Sequence, residues 1–443
     1  MRTHRHAVES VLEWLPHHGQ QLTRLSLKLG LSSQLIRQLP CQHLLELKLL
    51  ECDIQLGAAD GFPGVIEGCS KLTRLELECN ILDATERAVM DGLSSLVHLQ
   101  HLVVAPAAHK RFAWQDEYVI AGLSGATLPR LQHLTCLKVN ELSTENLLQL
   151  SILANLQELH LATGWLGKNI SEVSGLVFPA SLKTLVLFSE VEVEARVLSL
   201  VPPGLQDLRV DGGVGGPDEG PDSFLSCVSG LKHLTRLSLG GCNIVDWPVA
   251  GPAYSALTAS SNLAVLEMYD PRFPPNIWPY VFAPTQKLPC LTSLYLWGSD
   301  GNEPLSPPPW SAADLSSIIN CCPNLCELEI DNLEPGVRVS ELHKLTTLTR
   351  LRLGHDALRS PAGFDGCVRD VASVTQLRQV QFSMYGLDVT AALLLPLTSL
   401  TALTSLTHDF GDQIQFSLRT STQVGMLSHC WWCEVHFYST SLL

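Results

Sequence analysis

Three sets of residues in this chain have the types and spacing to do chemistry. The first is Cys430-Trp431-Trp432-Cys433 between His429 and His436. Tetrahedral zinc sites bring two such cysteine or histidine pairs together, and here there is a single C-x-x-C, so the segment is read as part of a C-terminal cap and no metal is expected. The second is Gly212-Gly213-Val214-Gly215-Gly216. It lacks the spacing and the following Lys-Ser/Thr of a phosphate-binding loop, so it reads as a flexible turn. The third set is Glu267, Tyr269, Asp270, Tyr295, Trp297, Glu327, Glu329, Asp331, Arg350 and Arg352, gathered in four short stretches. Large, rigid rings inside a charged rim are what protein contacts are anchored on. The carboxylates would favour a basic partner and speed its approach.

Catalysis would need an acid, a base or a nucleophile brought together, and the motifs that announce such groups are missing. G-x-S-x-G, H-E-x-x-H, His-x-x-x-His and the P-loop are all absent. The sixteen histidines fall mostly at variable positions such as His98, His101, His133 and His160, which read as surface or half-buried residues. The single sequon, Asn169-Ile170-Ser171, matters only in a secreted protein. The expectation is a non-enzymatic chain with no catalytic residues and no cofactor.

What must position the third set is a repeated element. Leu72-Thr73-Arg74-Leu75-Glu76-Leu77-Glu78-Cys79-Asn80-Ile81-Leu82 matches L-x-x-L-x-L-x-x-N-x-L at every specified position, the signature of a leucine-rich repeat. Its x-L-x-L core alternates as a strand with one buried face does. Asn80 stands where its amide would satisfy backbone groups as the chain turns out of the strand. L-x-x-L-x-L recurs from Leu22, Leu44, Leu72, Leu99, Leu134, Leu156, Leu182, Leu205, Leu234, Leu263, Leu291, Leu325, Leu348 and Leu377, with a degraded copy at Leu403 where His408 replaces the third apolar residue. The steps run from 22 to 35 residues with a mean near 27, room for a strand, a turn and a short helix. One unit cannot bury its leucines alone, so the units must stack.

The fold class expected is therefore α/β: a leucine-rich-repeat solenoid, or horseshoe, with a parallel sheet on its concave face and helices or loops on its convex face. We expect an N-terminal helical cap over 1–21, about 15 irregular repeats over 22–411, and a C-terminal cap or poorly specified tail over 412–443. Val8, Val11, Leu12 and Leu15 give the cap its helical spacing. Convex helices are expected over 83–93 and 143–153, with Ser311-Ala312-Ala313-Asp314 as a capping box. Proline-rich insertions at 271–289 and 304–310 carry Trp278, Tyr280 and Trp310, either folded back on the convex surface or exposed for docking. On the concave face, the residue between the second and third apolar positions of each repeat points outward, and Glu267, Tyr295, Glu329 and Arg352 are of this kind.

The formal net charge of −15 repels phosphate backbones and anionic lipid, which argues against nucleic acid. No apolar run approaches the ~18 residues needed to cross a bilayer, so no membrane partner is expected. The segment Met1-Arg2-Thr3-His4-Arg5-His6 is basic without an apolar core after it, unlike a secretory signal, and its arginines speak only weakly for a transit peptide. A cytoplasmic monomer is expected. The fourteen cysteines follow the repeat. Cys41, Cys69 and Cys322 stand three residues before a repeat's first leucine, while Cys52 and Cys242 take the place of Asn80. Such small slots suit reduced thiols packed as apolar groups.

The pattern C-x-x-L-x-x-L-x-L-x-x-C resembles the cysteine-containing, ribonuclease-inhibitor-like class of leucine-rich repeats found in F-box proteins. With Leu-Thr-Arg-Leu at Leu22, Leu72, Leu234 and Leu348, it is also similar to the irregular repeat proteins of green algae and plants. The resemblance spans roughly 8–411, although no F-box precedes the first repeat. It implies a scaffold that offers its concave face to a protein partner. The alternatives it implies are the substrate-recognition subunit of an F-box-type ubiquitin ligase, or a cytoskeletal or ciliary axoneme scaffold.

Overall fold

A computed structural model describes residues 14, 21–28, 41–54, 62–81, 92–105, 127–139, 142, 144–163, 175–189, 193, 195–212, 221–241, 251–269, 277–297, 310–331, 333–334, 336–354, 361–383, 391–409, 415–420 and 431–436. The chain forms two compact units, 1–212 and 213–443. The first unit contains β1 (Arg24–Lys28), β2 (Glu46–Ile54), β3 (Arg74–Ile81), β4 (His101–Ala105), β5 (Cys136–Val139), β6 (Glu158–Thr163), β7 (Thr184–Ser189) and β8 (Asp207–Asp211). Each pairs in parallel with the next in sequence order. The second contains β9 (Arg236–Gly240), β10 (Val265–Tyr269), β11 (Ser293–Trp297), β12 (Glu327–Ile330), β13 (Arg350–Gly354), β14 (Gln379–Ser383) and β15 (Ser405–Asp409), again parallel and in order. Two antiparallel strands follow, β16 (Gln415–Thr420) and β17 (Trp431–His436). Every one of the fifteen leucine motifs supplies one parallel strand, so the chain is a leucine-rich-repeat solenoid. The degraded copy at Leu403 still forms β15 and buries Leu406. The pairing switches to antiparallel on the next strand.

The sequence folds this way because three parts of the motif act together. The leucines alternate with polar residues, so one face of each strand is apolar: Leu72, Leu75 and Leu77 are fully buried, as are Leu44, Leu47 and Leu49 one repeat earlier. The first leucine closes a tight turn, its amide bonding the carbonyl three residues back, as in Leu72 N to Cys69 O at 2.9 Å. The residues after it then reach across to the neighbouring repeat. Thr73 N and Arg74 N both donate to Leu45 O, at 2.8 and 3.0 Å, and Thr73 Oγ1 adds a third donor at 3.0 Å. The same double donation recurs at Thr73 O from Gln100 and His101, and at Thr349 O from Arg378 and Gln379. The Thr of Leu-Thr-Arg-Leu therefore has a structural role: its hydroxyl joins the backbone in holding one repeat against the next.

Away from the sheet, short helices and 3-10 turns complete the core. Ser311 and Asp314 form the expected reciprocal cap on the helix Ala312–Cys321. The helix expected over 143–153 is a short α-turn, Thr144–Leu148, followed by a 3-10 turn, Leu150–Ile152. Trp278 and Trp310 come from separate insertions yet bury themselves together, ring centroids 3.9 Å apart, while Tyr280 stays exposed. The helices expected over 7–15 and 83–93 lie outside the described residues, apart from Trp14 and the last residues near Leu93, as do 271–276 and 304–309 of the proline-rich segments and residues His429 and Cys430. Two expectations about β2 and β3 need correction. A bulge between Leu50 and Cys52 places Cys52 opposite Cys79 and Asp53 opposite Asn80, so Cys52 does not hold the asparagine's place. The same pairing carries β3 on to Ile81, past Asn80, so the chain has not left the strand there.

Two outcomes follow. Leu237, fully buried in β9 between Leu234 and Leu239, should cost ~2–5 kcal/mol of stability as Leu237→Ala, read by chemical denaturation; an unchanged midpoint would contradict the packing. Among the described residues Cys69, Cys136, Cys321 and Cys322 are buried thiols outside any disulfide, and Cys227, Cys290, Cys326 and Cys367 are in no disulfide either. Titrating thiols in the unfolded protein with and without reductant should give the same count, fourteen.

Candidate functional site

The outward side chains of β9–β14 stand in columns because parallel strands pair without slippage. Ser238, Glu267, Tyr295, Glu329, Arg352 and Gln381 are successive partners, and Arg236, Val265, Ser293, Glu327, Arg350 and Gln379 form the column two residues before them. Tyr269 pairs with Trp297 two residues beyond. Neighbours in a column are about 4.8 Å apart, the spacing of paired strands. The structure thus brings together Glu267, Tyr269, Tyr295, Trp297, Glu327, Glu329, Asp331, Arg350 and Arg352; Asp270 lies outside the described residues.

Trp297 is the hub. The Tyr269 ring meets it edge to face at 4.6 Å between centroids, and the Tyr295 ring lies 6.5 Å from it, also edge to face. The Arg352 guanidinium lies over the indole, 5.1 Å from its centroid. Arg352 also places Nη1 2.5 Å from Glu329 Oε1, an ion pair outside hydrogen-bond geometry, and donates from Nε to Ser383 Oγ at 2.9 Å. The indole Nε1 is buried near the Glu329 carboxylate and favours its charge without aligning into a hydrogen bond. All three rings are half-buried. They form a supported ridge and do not project freely from the sheet.

The acids behave differently from a solvated rim. Glu267 is 5% exposed and Glu329 only 3%. Glu267 accepts a hydrogen bond from Arg236, Glu327 accepts one from the Tyr295 hydroxyl and faces Arg350 at 3.6 Å, and Glu329 has Arg352. Three of the four described carboxylates are therefore matched by arginines on neighbouring strands. Burial pushes the Glu329 carboxyl up to about 7, more than the opposing Arg352 charge and the Trp297 indole hold it down. Burial and the adjoining acids push the Tyr269 and Tyr295 phenols up to about 12. Asp331 leans toward β13: a methyl group at Gly354 would sit 1.7 Å from Asp331 Oδ1, so any larger residue there would have to push the Asp331 carboxylate aside.

Arg236 and Ser383 belong to this site and were not singled out from the sequence. Arg236 had a signal, since it is the arginine of a Leu-Thr-Arg-Leu motif. At all four such motifs that arginine, Arg24, Arg74, Arg236 or Arg350, faces a carboxylate on a neighbouring strand. Ser383 had no signal of its own.

The first unit holds the arrangement nearest to a catalytic set. Glu158 Oε1 lies 2.6 Å from Lys138 Nζ and 2.8 Å from His160 Nε2, and the Cys136 thiol hydrogen-bonds the same carboxylate. A nucleophilic thiol needs a lowered pKa. Here burial, reinforced by the Glu158 charge, pushes Cys136 up to about 12, and burial also lowers His160. The Cys136 thiol is thus held protonated beside a Lys138–Glu158 ion pair on the sheet. Among the described residues no group of three or more His, Cys, Asp or Glu side chains is placed to hold a metal ion, and no helix is long and apolar enough to cross a membrane.

No protein-family model matches the chain, and no curated protein does. Among solved structures, an internalin from Listeria monocytogenes str. 4b F2365 is similar over 92% of this chain and 94% of that chain, at 15% identity and a TM-score of 0.47.

The raised Glu329 value has a consequence in pH. The folded state holds this proton more tightly than the unfolded chain, so between about pH 4.5 and 7 the group makes stability fall as pH rises. Glu329→Gln should remove that contribution. Urea unfolding across this window should show the variant gaining on the wild type with increasing pH; a constant difference would mean the carboxyl is not held neutral by burial.

Proposed function

We propose that the chain is a non-enzymatic interaction scaffold, and that the outer sheet face of its second unit, centred on Tyr269, Tyr295 and Trp297, docks a protein partner. The observation that carries this reading is the pre-organised ring cluster: an indole gripped by two phenol rings and a guanidinium, on rigid strands, with part of every ring left open to solvent. Aromatic and arginine side chains held this way lose little freedom on contact, and residues of these types dominate interface energetics.

The internal pairing of Glu267, Glu327 and Glu329 with arginines changes the expected character of the partner. A surface that has already matched most of its acids has little net field left to steer a basic molecule. Recognition would rest on packing against the rings, with Asp331 and the exposed Arg350 at the margin supplying polar specificity.

The test uses a partner recovered by crosslinking to the full chain and then produced pure. Trp297→Ala should weaken its binding by about 2 kcal/mol or more, in the range of an interface anchor. Thr407→Ala lies on the same column on β15 and should bind as the wild type does. Ser238→Ala is a poor control, because Ser238 is buried beside Glu267. Equal affinities for the Trp297 and Thr407 variants would place the contact elsewhere, and a steep loss of affinity with salt would restore a charge-led contact.

A further inference from the structure

We propose that the first unit carries a second docking surface, a strip that takes an acidic polypeptide segment, formed by His43, Lys71, His98 and His133 on the turns leading into β2, β3, β4 and β5. Each residue stands immediately before the first leucine of its repeat. Glu46, Arg74, His101 and Cys136, three positions further on, are aligned partners on the four strands, so the strip residues share one column at the strand spacing of about 4.8 Å. All four are exposed. The His98 and His133 rings lie 6.3 Å apart with 23° between their planes. Beside them runs an open groove of about 370 Å³ lined by Leu45, Lys71, Thr73, His98, Gln100 and His133.

Among the described residues these side chains make none of the hydrogen bonds that close their turns. At the same position in other repeats, asparagine ties one turn to the one before it. Asn155 Nδ2 donates to Gln132 O at 3.0 Å, Asn262 Nδ2 to Lys232 O at 3.4 Å and Asn324 Nδ2 to Pro289 O at 2.8 Å. Among the described residues none of the strip's four side chains makes such a bond. Their turns close through backbone alone, Leu99 N to Leu96 O at 2.9 Å and Leu134 N to Leu131 O at 3.0 Å. Four successive repeats therefore carry exposed N–H-bearing side chains at the position where three other repeats carry a turn-tying asparagine.

The occupant follows from the groove's chemistry. On a chain of net charge −15, an imidazole and ammonium column is where a carboxylate meets donors and not repulsion. On the neighbouring turns Glu67 and Arg130 are both exposed and offset each other. Leu45, 42% exposed, adds an apolar floor. An extended segment alternating carboxylate and apolar side chains fits both. A nucleic acid would need several fixed cations along its phosphates or rings for its bases to stack on, and Lys71 is the one lysine or arginine lining the groove.

The experiment measures fluorescence anisotropy of a labelled peptide of alternating glutamate and leucine against the full chain, with a glutamine-leucine peptide as its neutral match. The acidic peptide should bind saturably and the neutral one should not. Lys71→Glu with His98→Glu should weaken the acidic peptide about tenfold, the scale of several exposed charge contacts. The milder Lys71→Gln with His98→Gln should lose part of that and guards against a misfolded double variant, which circular dichroism would reveal. His233→Glu, exposed at the same repeat position in the second unit, should change nothing. The proposal is overturned if both double variants bind like the wild type, if His233→Glu weakens binding equally, or if an oligothymidylate of matched charge binds more tightly than the peptide.

Discussion

Each repeat hangs on one carbonyl. Leu45 O receives two amides and a hydroxyl from the following repeat, and equivalent carbonyls at Thr73, Gln100, Thr135, Thr235, Ala264, Thr292, Cys326, Thr349 and Arg378 receive two amides apiece. This shared acceptor fixes the stagger between neighbours before any side chain is considered. A slip of one residue would turn every leucine outward and every charged residue into the core. Since the constraint acts only at the turn and the strand, the rest of the repeat is free to vary. Steps between 22 and 35 residues are tolerated because lengthening a surface connection costs little entropy.

A fixed stagger converts sequence period into surface columns. Residues some 27 positions apart in the chain become strand neighbours, and their charges must then be compatible. Cross-strand pairs neutralise much of the columns in both units: Lys48 with Glu76, Arg74 with Glu46 and Lys138 with Glu158 in the first, and the three arginine–carboxylate pairs around Trp297 in the second. Like charges facing each other across strands would be costly, so the arginine of Leu-Thr-Arg-Leu is as much a part of sheet formation as the leucines. The chain's large negative charge therefore does not appear as an acidic sheet.

What the sequence made legible was whatever obeys the period. The leucine motifs located each parallel strand among the described residues, since alternation and register are local and periodic. The position between the second and third leucines forms one column, but Val103, Val186, Ser238, Glu267 and Glu329 in it are buried and not solvent-facing. The Trp297 cluster was visible as a group for the same reason. What escaped depends on side-chain reach across strands. Glu329 looks like a surface acid in sequence, but the indole and guanidinium beside it close it off, and Arg236 gains its part only from Glu267 one strand away. The bulge in β2 has no marker in Leu50-Glu51-Cys52, so counting from Leu44 put Cys52 one place out. The basic strip was missed because its members are a full repeat apart and each alone is an unremarkable surface residue.

The two surfaces differ in how much freedom the fold leaves them. The strip sits where the backbone closes its own turn, so its side chains are not needed for the turn's hydrogen bonds. The ring cluster sits on the sheet itself. There Trp297 supports Arg352, Arg352 compensates a buried Glu329, and Gly354 is bare so that Asp331 can lean over it. Side chains that share partners in this way couple energetically. A change in the cluster therefore acts on stability as well as on the docking surface proposed for it, while a change in the strip acts on its proposed docking surface. The difference comes from the repeat geometry: a turn satisfied by main chain leaves its side chain free, and a strand face must satisfy whatever it buries.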